Sequence, residues 1–283
     1  MIRTTSLTRP TARLIFVVSL FALSFGVSRA VATAFVPQLG SASGFAALAG
    51  TAITCTHSQL TGNVGTWPGT AVTRTGCPVA GTIYQGGPIA QAAYMDFINA
   101  YNNLLFNPPA CDATITGTLA GEVLLPGVYC IDAVAKTGTL ILDAGGNASA
   151  VWIFLVDGAL TGTNFNVVMI NGGDPCNVYW RTGQDAAATL TDSNFLGTIL
   201  SGAAITITRG TFHGDALATA AVTLTNTTVT ACGATTGGNV HGKCNQGVGN
   251  GPEGCDPGNS NNHNPSNDEG GGTPGTPGRK GKG

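Results

Sequence analysis

The chain has 283 residues, a formal net charge of −2 and only 9% charged residues, against about 25% in an ordinary soluble domain. Residues 35–232 carry four basic side chains, Arg74, Lys136, Arg181 and Arg209, against ten acidic ones from Asp96 to Asp215. No basic patch is present to neutralise phosphates, which excludes nucleic acid and anionic lipid as partners.

At the start, Arg3, Arg9 and Arg13 precede an apolar run at 14–27 that ends among Ser28, Ala30, Ala32 and Ala34. That is the pattern of a secretory signal peptide, assigned to 1–34. The run falls short of the roughly 20 apolar residues of a membrane span, and no second one follows, so the reading is of a secreted, extracellular chain without membrane insertion. Eight cysteines in such a chain read as disulfide partners. Spacing favours Cys55 with Cys77, Cys111 with Cys130 and Cys244 with Cys255, leaving Cys176 with Cys232. Connectivity stays open, since eight cysteines allow about 105 pairings.

One helix is predicted at 88–106, because Ile89, Ala93, Phe97, Tyr101 and Leu104 recur at three- and four-residue steps between Pro88 and Pro108-Pro109. Beyond it, β-branched residues alternate with Gly, Ala and Asn and read as short strands. The last third repeats every 17 residues: Ala188-Thr-Leu-Thr191 aligns with Ile205-Thr-Ile-Thr208 and Val222-Thr-Leu-Thr225. A unit of this size cannot bury its apolar side alone, so the units must stack as coils. Leu190, Ile207 and Leu224 form one inward column, and Phe195, Phe212 and Val229 another. At about 3.3 Å per residue a coil has a perimeter of roughly 55 Å, enough for three short sides. The body, 35–232, is therefore expected to be a solenoid. The tail, 233–283, is built mainly of Gly, Asn, Pro, Ser and Asp and is expected to be disordered.

Thr at i and i+2 around an aliphatic residue turns both threonines outward. Thr189 with Thr191, Thr206 with Thr208, and Thr223 with Thr225 thus form a lattice with rungs about 4.8 Å and columns about 6.7 Å apart. A second motif, Thr-x-x-Thr/Asn, overlaps it at Thr161-Gly-Thr163-Asn164, Thr191-Asp-Ser-Asn194, Thr208-Arg-Gly-Thr211 and Thr225-Asn-Thr-Thr228. Asp192, Arg209 and Asn226 in its second position threaten the flatness of such a face. Catalysis finds no support. The carboxylates stand singly, His213 and Asp215 sit on the outer side of one coil, and His241-Gly-Lys-Cys244 reads as a disulfide neighbourhood. Neither an enzyme, a cofactor nor a metal is expected.

Across about 38–232 the chain resembles the microbial ice-binding protein family, through Leu39-Gly-Ser-Ala-Ser-Gly-Phe-Ala-Ala-Leu-Ala-Gly50, Gly62-Asn-Val-Gly65, Leu125-Pro-Gly-Val-Tyr-Cys130, Leu140-Ile-Leu-Asp143, Val151-Trp-Ile-Phe154 and Asn177-Val-Tyr-Trp180. The resemblance implies a mostly β fold, a discontinuous right-handed three-sided β-solenoid with one long α-helix packed along it and N-terminal strands paired among the later coils. It implies adsorption to ice crystals, with antifreeze or recrystallisation-inhibiting activity, by a monomer. In members with a Thr-Ala/Gly-x-Thr/Asn pattern those positions mark the binding face; Thr161-Gly-Thr-Asn164 fits it, and the other three depart at the second residue. The alternative is a cell-surface or matrix module on the same solenoid, attached through the tail.

Overall fold

The computed structural model describes residues 36–233; the signal segment, the tail and the proposed Cys244 and Cys255 pair lie outside them. The described residues form two parallel sheets, one of nine strands and one of ten, with the helix α1 (Gly87–Phe106). The strands Ala188–Leu196, Ile205–His213 and Val222–Thr230 lie side by side in the 17-residue register, Thr189 beside Thr206 beside Thr223. Leu190, Ile207 and Leu224 point inward and are buried, as are Phe195, Phe212 and Val229. Phe195 and Phe212 stack with ring centroids 5.9 Å apart.

Each of these strands is longer than the sequence pattern suggests because it runs through a corner. Asp192, Arg209 and Asn226 adopt φ of 51°, 58° and 51°, the left-handed region that Asn and Asp tolerate best. A single residue there turns the strand, and pairing lapses at that residue and resumes in the same register beyond it. The next corner falls at Gly197, where φ is 106° and an added Cβ would come within 2.6 Å of the Val178 carbonyl oxygen. Strands Thr198–Ser201 and Ala216–Ala218 follow and form the third side.

At the first corner the chain loses part of its backbone ladder, and buried hydroxyls replace it. The Ser193 hydroxyl donates to Thr191 O at 2.8 Å and accepts from Phe165 N–H at 3.1 Å. Two rungs on, the Thr227 hydroxyl donates to Gly210 O at 3.1 Å, and the Ser58 hydroxyl accepts from Thr227 N–H at 3.1 Å.

The stack is discontinuous in sequence. Phe45–Ala49 pairs with both Asn63–Thr66 and Ala216–Ala218, so the N-terminal strands close onto the last coil. The nine-stranded sheet runs from Ile83–Gln85 at one end to Ala113–Ile115 at the other. Eight steps of about 4.8 Å separate those ends, and α1, with 20 residues and about 1.5 Å per residue, covers most of that distance. Ala90, Ala93, Phe97, Ala100, Tyr101 and Leu104 are its buried face, packed on Phe45, Leu48, Ile153, Tyr179, Leu200 and Leu217 of the nine-stranded sheet. Ile89, expected on that face, is 52% exposed; the buried stripe instead starts at Ala90, three residues before Ala93 and seven before Phe97. Where α1 lies over it, the nine-stranded sheet is therefore covered on both sides, and its strands read as apolar runs such as residues 152–156, with the exposed Asp157 beyond. The ten-stranded sheet keeps a broad outer surface open.

Among the described residues three disulfides, Cys55–Cys77, Cys111–Cys130 and Cys176–Cys232, tie the coils.

Candidate functional site

On the open sheet, strand alternation sorts the threonines into two straight columns. Thr161, Thr189, Thr206, Thr223, Thr54 and Thr73 lie on successive strands; so do Thr163, Thr191, Thr208, Thr225, Thr56 and Thr75. Six rungs thus stand where the repeat gave three. Two of them, Thr54 with Thr56 and Thr73 with Thr75, come from the N-terminal strands Ala52–Thr56 and Ala71–Thr75. The lattice spans about 24 Å along the solenoid, five steps of about 4.8 Å, and about 6.7 Å across. The aliphatic residues between the columns, Ile207 and Leu224 among them, are buried, and β-branching holds each threonine in few rotamers.

The overlapping Thr-x-x-Thr/Asn motif divides at the corner. Thr191, Thr208 and Thr225 stand before it, and Asn194, Thr211 and Thr228 after it, on the adjoining side. These positions therefore lie on two sides that meet at an edge. Asp192, Arg209 and Asn226 occupy the edge itself, so they do not interrupt the Thr-x-Thr lattice. His57 and Gly76, with φ of 48° and 59°, continue the same edge column. Asn164 also changes place: it has φ 50° and sits in the corner, Thr161 and Thr163 fall into the two threonine columns, and Asn166 is the residue beside Asn194.

Hydrogen bonding separates the two sides. On the adjoining side the Thr211 hydroxyl donates to Asn194 Oδ1 at 2.8 Å, and Asn194 Nδ2 donates to Asn166 Oδ1 at 2.9 Å, a ladder satisfied within the protein. Among the described residues, the twelve hydroxyls of the Thr-x-Thr lattice have no protein partner and are exposed or half-buried. They are available to water. At the edge Arg209 clasps Asp192 with two nitrogens, one at 2.7 Å from Oδ2. The Arg209 hydrogen bond holds the Asp192 carboxyl below its usual range, and the pair presents no net charge beside the lattice.

Elsewhere the carboxylates are less isolated than their spacing implies. Asp132 and Asp157 face each other on neighbouring strands; Lys136 donates to Asp132 at 2.7 Å and holds its carboxyl below the usual range. Asp215 is fully buried on the far side of the Gly214 turn from His213, so those two do not form a pair on an open surface. Among the described residues no group of three or more His, Cys, Asp or Glu is placed to hold a metal ion.

A family model described as Ice-binding-like matches residues 47–230. An ice-binding protein of Nostoc sp. (strain HG1) is 36% identical over 175 residues, 59% of this chain and 63% of the relative. Ice-binding protein 1 of Shewanella frigidimarina (strain NCIMB 400) is 32% identical over 202 residues, 58% of this chain and 22% of the relative. The chain thus spans less than two thirds of either relative. Among solved structures, an ice-binding protein from the Antarctic ascomycete Antarctomyces psychrotrophicus superposes with a TM-score of 0.64 at 31% identity, covering 70% of this chain and 98% of that one. One from an Antarctic biological consortium gives 0.66 at 32%, covering 70% and 92%. Because the family match begins in the first strand of the stack and ends in the last, it accounts for all the coils, and the chain belongs to the Ice-binding-like family.

Proposed function

We propose that the chain is a secreted ice-binding protein that adsorbs to ice crystals through the Thr-x-Thr lattice and so restrains their growth and recrystallisation. The observation that carries this reading is the hydroxyl inventory: twelve threonines in six rungs, rotamer-restricted and without protein partners. Water above such a lattice is held at a fixed repeat before it meets the crystal. The entropy lost on joining ice is then small, as in any preorganised interface. The methyl groups add apolar surface to be covered on contact. Asn194, Thr211 and Thr228 flank the lattice across the corner and contribute at its margin, because Asn194 and Thr211 are already bonded to their neighbours. No covalent step is involved, so the reading requires neither a catalytic residue nor a cofactor.

Thr206 stands near the middle of the lattice and tests the reading. Thr206→Tyr is expected to abolish most recrystallisation inhibition in dilute purified protein, because one bulky ring lifts several rungs off the ice. Gln91→Tyr, on the exposed side of α1, is expected to leave it intact. Equal inhibition by the two variants, or unchanged crystal growth with the unaltered chain, would overturn the proposal.

A further inference from the structure

We propose that a second site, on the outer side of the nine-stranded sheet, binds a small neutral polyhydroxy molecule of monosaccharide size. A hollow of about 320 Å³ lies there, lined by Thr114, Thr116, Asp132, Leu155, Asp157 and Arg181 among others and by no residue of α1. That volume is at the lower end of the range for small-ligand pockets.

The hollow is laid out by strand register. Thr114, Cys130, Leu155 and Arg181 stand on four neighbouring strands. Two residues further along the first three come Thr116, Asp132 and Asp157, with Asp132 beside Asp157. Arg181 is only 9% exposed, and its Nη1 reaches the Val156 and Thr182 carbonyls at 3.4 Å. Its Nε is enclosed by protein without a partner, and its Nη2, which is not enclosed, makes no hydrogen bond within the protein. A guanidinium kept largely out of water with donors unused gains from an oxygen-rich ligand placed beside it.

Charge selects the class of ligand. Lys136 is locked onto Asp132 at 2.7 Å, and Asp157 lines the hollow together with Arg181, whose pKa burial pulls down while Tyr101 and then Asp157 act against that pull. Two carboxylates and two cations leave the hollow near neutrality. An anion meets Asp157 and a cation meets Arg181, whereas a neutral polyol uses both: paired hydroxyls donate to the Asp157 carboxylate and accept from Arg181. Thr114 and Thr116 add hydroxyls of either sense, and Leu155 offers an apolar floor to the C–H face of a sugar ring.

Saturation-transfer NMR on the full chain tests this, with D-glucose, D-galactose, N-acetyl-D-glucosamine and mannitol as separate probes and glycine betaine as a zwitterionic comparison. Saturable transfer from at least one polyhydroxy probe is expected in the millimolar range. Asp157→Ala should weaken it about tenfold, or about 1.4 kcal/mol, and Thr116→Val by a smaller factor. Asp157 and Thr116 are exposed, so both variants are expected to fold, and Thr206→Tyr should bind the probe as the unaltered chain does. The proposal fails if no polyhydroxy probe shows saturable transfer, if Asp157→Ala binds as tightly as the unaltered chain, or if betaine is preferred.

Discussion

Asp215 holds its carboxylate away from solvent, accepting Cys232 N–H at 2.9 Å and the Thr198 hydroxyl at 3.4 Å. Burial pushes its pKa up to about 7, the two hydrogen bonds offsetting only part of the effect. The sign of the consequence follows from proton counting. Below about pH 4, the ordinary aspartate value, the folded and unfolded chains both hold this proton. Between about 4 and 7 the unfolded chain releases it and the folded chain keeps it, so stability falls as pH rises through that window. Asp132, Asp143 and Asp192 act oppositely: their carboxyls are held below the usual range by hydrogen bonds from Lys136, Asn171 and Arg209, and their contribution is lost as acid protonates them. Asp215→Asn isolates the buried group, since the amide oxygen can still accept from Cys232. Its melting temperature is expected to exceed that of the unaltered chain at pH 7.5, and the gap should close by pH 4. An equal gap at both pH values would show that Asp215 does not titrate in this way.

At the scale of elements, the outermost strand Ala71–Thr75 is largely exposed and pairs on one side only, with Ala52–Thr56. It carries the last threonine rung, and beside its pairing with Ala52–Thr56 the Cys55–Cys77 bond, closing a separation of 22 residues, tethers it covalently. Loop closure of that length is worth about 3 kcal/mol. Replacing both cysteines by alanine should therefore speed amide exchange in Ala71–Thr75 while leaving Ala188–Leu196 protected, as hydrogen-exchange mass spectrometry can measure. Uniform exchange across both strands would mean that the tether is dispensable. The same geography explains what was legible in the residues alone. The last three coils share one length, so Thr189, Thr206 and Thr223 align on inspection. Asn166 and Asn194 are 28 residues apart, because the earlier coil carries an extra excursion, and that alone hid the register of Thr161 and Thr163. Thr54 and Thr73 join the lattice only because α1 carries the chain back along the stack, a closure that no local period records. The corner was half-visible: Asp and Asn at 192 and 226 suit positive φ, whereas Arg209 gives no such signal.

Across the described residues, the column between the two threonine columns reads Arg74, Cys55, Leu224, Ile207, Leu190, Gly162 and Lys136 from strand to strand, exposed at Arg74 and buried from Cys55 to Lys136. Its middle is apolar, and both ends are cations that point where an apolar side chain would continue the stack. Arg74 donates to the Cys77 carbonyl at 3.2 Å, and Lys136 to Gly117 O and Asp132 at 2.7 Å. A parallel solenoid exposes unpaired strand edges at its two ends, and these invite a second copy to add on. A cation at the head of that column makes that addition unfavourable, because a docking copy would have to desolvate it. The unaltered chain is accordingly expected to sediment as a monomer, and Arg74→Val to associate in a concentration-dependent manner through the Ala71–Thr75 edge. Association through that edge would extend the threonine columns of one copy toward the end of another. Sedimentation velocity over a hundredfold concentration range decides the matter. A variant that remains monomeric throughout would mean that the edge is protected by something other than the Arg74 charge.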